Sequence, residues 1–71
     1  MDKLVRMKLE AIRETAAALS QEHKGNADKN KDYKWLEGWY TGRSSVYGLV
    51  EQWVQEVLEL QDSIDAADDA A

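Results

Sequence analysis

Apolar residues in the first third of the chain recur at a 4-3-4-3 spacing: Val5, Leu9, Ile12, Ala16 and Leu19. Residues three and four apart share one side of a helix, so this spacing predicts an amphipathic helix with a narrow apolar stripe. Asp2 is placed to cap it, the intervening alanines and glutamates favour it, and Gly25 stands where a residue in the left-handed conformation would close it. His23 and Lys24 bring positive charge to the negative pole of the helix dipole. The first helix is therefore expected over about residues 3–24.

Residues 25–32 are polar, carry turn and capping side chains and show no apolar period, which marks a connection. Beyond it, Leu36, Trp39, Val46, Val50, Trp53, Val57, Leu60 and Ile64 fall on a heptad-like series whose remaining slot is Arg43. Tyr40, Tyr47, Val54 and Leu58 widen the apolar arc on one flank, and Trp35 and Leu49 widen it on the other. The arc then covers roughly half the helix circumference. With no proline to stop it, the second helix is expected from about residue 32 to about residue 65, followed by a fraying acidic tail over 66–71. The predicted fold is an all-α helical hairpin in a single domain, with a short first helix and a long second one.

The difference in length predicts an assembly. At 1.5 Å per residue the two helices span about 33 Å and about 50 Å. Folding back about the connection would set Leu19 near Trp35, Ile12 near Gly42 and Val5 near Leu49. Trp53, Val54, Val57, Leu58, Leu60 and Ile64 would then project beyond the first helix. Burying each such side chain is worth about 1.5–3 kcal/mol, and a small domain has little stability to forgo. A second copy is the economical cover, giving a dimeric antiparallel four-helix bundle. Its interface is expected to use Trp39, Arg43, Val46, Tyr47, Val50, Trp53, Val54, Val57, Leu58, Leu60 and Gln61. Arg43 and Gln61 share an angular position, so a crossing centred near Gln52 would pair them as a polar layer.

Composition sharpens this picture. The chain has 71 residues, with no cysteine, proline or phenylalanine. A chain of that size makes a thin core, and without cysteine neither a disulfide nor a thiolate metal site can reinforce it. No run of 18 apolar residues occurs, and Met1-Asp2-Lys3-Leu4 lacks the layout of a signal peptide, so the expected location is cytoplasmic. The net charge of -5 is unevenly spread: residues 1–43 hold all nine basic and seven acidic side chains, whereas 44–71 hold seven acidic and no basic ones. An antiparallel partner would bring Lys29, Lys31 and Lys34 to that acidic end, where a parallel one would stack acid on acid.

Candidate chemistry is sparse. His23 is the only histidine, and Ser20, Ser44, Ser45 and Ser63 have no base beside them, so no catalytic residue and no enzyme activity are expected. A calcium loop beginning at Asn26 would use Asn26, Asp28, Asn30, Asp32 and Glu37, but Lys31 occupies its glycine position and Lys34 its ninth. The register from Asp28 places Tyr33 and Trp39 at required positions. No metal or cofactor is expected. Around the block from Tyr33 to Arg43, aromatic residues are interleaved with Lys29, Lys31, Lys34 and Arg43, as in nucleotide and single-strand binders. Asp28, Asp32 and Glu37 nearly cancel the charge there, and the chain is acidic overall, which ranks nucleic acid and nucleotides below a protein partner.

Gly38, Gly42 and Gly48 each cost a helix about 1 kcal/mol relative to alanine. Close approach of the first helix, with Ala16 and Ile12 opposite Gly38 and Gly42, would offset this; a groove for a partner's side chain is the other reading. Lys34, Glu37 and Arg43 interrupt any apolar run, so the spacing of the glycines is not a membrane signal. The expected function is that of a small homodimeric interaction protein, an adaptor or inhibitor. It would bind another macromolecule through the aromatic face or the acidic end, with Trp35, Tyr40, Glu51, Glu56, Glu59 and Asp62 as candidate contacts. The alternative is a ligand-sequestering bundle in which Trp35, Trp39, Tyr40 and Arg43 line a pocket for a nucleotide-like anion.

Overall fold

A computed structural model describes residues 1–70. Two helices make up the fold: α1 from Lys3 to Lys29 and α2 from Lys34 to Ala70. They pack side by side as an antiparallel hairpin, Arg6 lying against Asp62 and Ser20 against Ser44. No helix among the described residues is long and apolar enough to cross a membrane.

Asp2 starts α1 as its sequence position predicts. Its Oδ1 accepts hydrogen bonds from the backbone N–H groups of Leu4 and Val5, at 2.8 and 3.2 Å, satisfying two donors that the first turn leaves without helical partners. The end of α1 differs from expectation. Gly25 does not close the helix: no described glycine has a positive φ, and α1 continues another turn to Lys29. Asn30 closes it instead, donating from its backbone N–H to the Ala27 carbonyl and from its side-chain amide, at 2.7 Å, to the Asn26 carbonyl. The extra turn buries Ala27. Only residues 30–33 remain as a link, with Tyr33 donating to the Asn30 carbonyl and Glu37 in turn donating to that of Tyr33.

The longer α1 also shifts the register of the hairpin. Arg6 donates to Asp62 at 2.8 Å, Arg13 to the Gln55 amide oxygen at 2.6 Å, and Ser20 meets Ser44. Residues 53–62 therefore do not overhang α1; they run beside its first half. The expected juxtapositions of Leu19 with Trp35, Ile12 with Gly42 and Val5 with Leu49 are replaced accordingly. At the other end α2 remains helical to Ala70, where fraying was expected, while Ala71 lies outside the described residues. Ala66 and Ala67 are the best helix formers, and the Gln61 amide donates to Asp65 one turn on, at 2.9 Å.

The seam between the helices is narrow and partly polar. Among the described residues, Ala16, Ala27 and Leu58 are buried, the last only 2% exposed. Around Ala16 and Ala27 the small side chains let the helices approach. Ser20 Oγ donates to the Ser44 carbonyl at 2.9 Å, and Ser44 Oγ donates back to the Ser20 carbonyl at 2.8 Å. Gly48 lies in the same crossing, where an added Cβ would sit 3.6 Å from Ser20 Oγ. On one side of this clasp the His23 ring stacks on Tyr47 at 5.5 Å and on Tyr40 at 5.8 Å.

Candidate interaction face

Most of the heptad series of α2 does not face α1; Leu36 and Val50 alone in it are half-buried apolar residues. Trp39, Val46, Trp53, Val57, Leu60 and Ile64 are all exposed, Trp53 at 58% and Leu60 at 63%. What meets α1 is the flank: Tyr40 and Tyr47 stack with His23, Val54 is half-buried and Leu58 is buried. At 100° per residue the two stripes of α2 are about a quarter turn apart. The wide apolar arc is thus divided, one half closing the hairpin and the other half open.

The apolar stripe of α1 opens to the same side. Val5 and Ile12 are exposed, and a groove of ≈ 300 Å³ between the helices is lined by Lys8, Ala11, Ile12, Thr15, Ala16 and Leu19 from α1 and by Tyr47 and Val50 from α2. Val50 belongs to the open stripe of α2, so the two helices present one continuous apolar face. This face lies across the 18 Å breadth of a rod 58 Å long.

A second groove, of ≈ 550 Å³, runs along α2 and is lined by Gly38, Trp39, Gly42, Arg43, Val46 and Tyr47. The Arg43 guanidinium lies over the Trp39 ring, 4.4 Å from its centroid, which leaves the space above Gly42 clear. Nothing stands within 4 Å of a Cβ built on Gly38 or Gly42. Close approach of α1 is therefore not what these two glycines serve; among the α2 glycines it is Gly48 that meets α1.

Arg43 and Gln61, expected to pair across an interface, each have a partner within the chain: Trp39 for Arg43 and Asp65 for Gln61. Among the candidate contacts, Trp35 stands 75% exposed beside the link. Tyr40 is turned against His23 and meets Trp39 edge-on at 5.0 Å. Glu51 is half-buried, whereas Glu56 and Glu59 are exposed and accept hydrogen bonds from Gln52 and Gln55. Asp62 is held by Arg6, whose guanidinium also reaches Glu10 at 3.0 Å. The hydrogen bonds and charge of Arg6 lower the Asp62 pKa, and Asp62 in turn raises that of Arg6. Trp39 and Arg43 share one groove, but Trp35 and Tyr40 do not line it.

Asn26 and Asp28 lie within α1, so the twelve-residue loop that a calcium site of this kind needs is replaced by the short link. Among the described residues no cluster of three or more His, Cys, Asp or Glu side chains is placed to hold a metal. The seam residues Arg6, Arg13, Ser20 and Ser44 carried no apolar signal in the sequence, and Ala27 fell in the stretch read as a connection; the cues were Ala16 on the first-helix stripe and the Tyr40, Tyr47, Val54 and Leu58 flank, itself a helical stripe. Comparison with protein-family models, curated proteins and solved structures finds no match to this chain.

Proposed function

We propose that the chain is a non-enzymatic interaction protein that works as a homodimer and acts as an adaptor or inhibitor toward another protein. The observation that carries this reading is the row of six large apolar side chains, from Trp39 to Ile64, exposed in line along α2. Full burial of such a side chain is worth about 1.5–3 kcal/mol, and these six are about half exposed, so together they forgo roughly 5–9 kcal/mol. That is comparable with the whole stability of a small domain, so a cover for this face is worth as much as the fold itself. An apolar face of this extent marks an interaction site in a water-exposed helix pair. Once the face is covered, the acidic outer side with Glu56 and Glu59 and the exposed Trp35 at the link remain for a second macromolecule.

Sedimentation equilibrium tests the dimer: a chain that stays monomeric at tens of micromolar, a concentration typical of weak complexes, contradicts it. Affinity capture from the native host, compared between the chain and its Glu56→Gln, Glu59→Gln variant, tests the second surface. The acidic contact is supported if a captured protein is lost with those charges. A Trp fluorescence change on titration with nucleotides would instead favour ligand sequestration.

A further inference from the structure

The face described above also encodes how a second copy would sit on it, and the inference rests on the dimer just proposed. Stripe positions 39, 43, 46, 50, 53, 57, 60 and 64 are symmetric about a point between Glu51 and Gln52. When two α2 helices run antiparallel about that point, Trp39 meets Ile64, Arg43 meets Leu60, Val46 meets Val57 and Val50 meets Trp53. Every stripe position then has a partner. A shift of one heptad leaves Trp39 and Arg43 unmatched in one direction and sets Ile64 against Asp32 in the other. We infer that a second copy packs its α2 antiparallel on this face with the twofold axis between Glu51 and Gln52, seating the partner's Leu60 in the groove over Gly42.

Three observations favour a second copy in this orientation. First, Trp39, Gly42, Arg43 and Val46 stand at i, i+3, i+4 and i+7, the four corners of the hole that receives one knob in helix packing. The groove is already open there, because Arg43 is drawn onto Trp39 and Gly42 contributes no side chain. In the stated register the residue above that hole is Leu60, which is 63% exposed in the single hairpin and has nothing else to cover it. Second, charge is complementary end to end. The open end of the hairpin, residues 1–13 with 51–71, carries four basic and nine acidic side chains, while the link end, residues 22–43, carries five basic and four acidic ones. An antiparallel pair sets each link end beside the other copy's acidic end; a parallel pair sets like ends together. Third, the stripe is about 38 Å long at 1.5 Å per residue. Across the 18 Å breadth of the hairpin it offers roughly 700 Å² per copy, close to the roughly 800 Å² that each partner of a stable complex contributes.

Since the chain has no cysteine of its own, single cysteines report the register directly. Val46→Cys and Val57→Cys chains, mixed in equal amounts and oxidised, should give mainly the mixed cross-link, because a disulfide needs Cα atoms within about 7 Å. Predominant cross-linking of Val46→Cys to itself would show a parallel pair and overturn the inference. Absence of the mixed product while sedimentation still shows a dimer would overturn the register and leave the dimer standing; a monomer would overturn both. Gly42→Leu gives an independent arm. It should weaken dimerisation at least about tenfold by filling the hole, with helix content by circular dichroism undiminished, whereas Gly25→Ala should leave dimerisation unchanged. Wild-type dimerisation by Gly42→Leu would overturn the placement of Leu60.

Discussion

Asp62 and His23 show two opposite uses of a polar side chain in this hairpin. Asp62 is solvent-exposed, yet Arg6 holds it with hydrogen bonds at 2.8 and 3.3 Å and lowers its pKa below the ordinary carboxylate range. A carboxyl whose pKa is depressed on folding adds stability above its unfolded pKa, near 3.9, and loses it as pH falls through the folded value. Thermal unfolding of the chain and of Asp62→Asn should therefore differ at neutral pH, with the variant lower, and converge as pH falls through the lowered Asp62 pKa. His23 is the reverse case: its Nδ1 is buried with no hydrogen-bond partner among the described residues, while its ring lies flat on Tyr47 at an interplanar angle of 9°. A buried polar atom left without a partner costs about 1–3 kcal/mol, and an aromatic pair contributes about 0.5–1.5 kcal/mol. His23→Phe keeps the stacking and removes the orphan, so it should unfold at the same or a higher temperature. His23→Ala also removes the orphan but gives up both stacked contacts, so it should unfold at a lower temperature than His23→Phe.

At the scale of the helix, glycines divide by what lies above them. Gly25 has nothing within 4 Å and ordinary helical backbone, so Gly25→Ala should stabilise the hairpin by about 1 kcal/mol, read as a raised denaturation midpoint in urea. At Gly48 a Cβ would touch Ser20 Oγ at an ordinary contact distance, which leaves room for alanine. The existence of both helices, the Asp2 cap and the polar link were legible from spacing and capping chemistry. The end of α1 was not, because glycine suits both a helix end and, at a cost of about 1 kcal/mol, a helix interior, and Asn30 with its bond to Asn26 decided between them. Nor was the face of α2 that meets α1. Hydropathy marks Trp39, Val46 and Trp53 as strongly as Tyr47, Val54 and Leu58, whereas the choice was made by small residues, Ala16, Ser20, Ala27 and Gly48, of which only Ala16 lay on an apolar stripe. The open stripe was legible as a stripe; its being open came from that choice and not from an overhang.

For the molecule as a whole, the antiparallel arrangement orders its contacts by the length of chain that each one closes. The Ser20 and Ser44 clasp joins residues 24 apart, and the Arg6 and Asp62 pair joins residues 56 apart. Bringing two points of a flexible chain together costs more entropy the more residues lie between them, but once the clasp is made the remaining halves are already aligned. The four-residue link therefore acts as the seed of a zipper, with closure running from the link toward the open end. Near-link contacts then belong to the transition state and far-end contacts form after it. Stopped-flow measurements at concentrations low enough to keep the chain monomeric should show Ala27→Gly mainly slowing folding and Asp62→Asn mainly accelerating unfolding. The far end, with α1's first turns and the acidic half of α2, is then the part that opens first and most often, as amide hydrogen exchange would record. A partner bound across that end would lengthen the lifetime of the hairpin without altering the rate at which it forms.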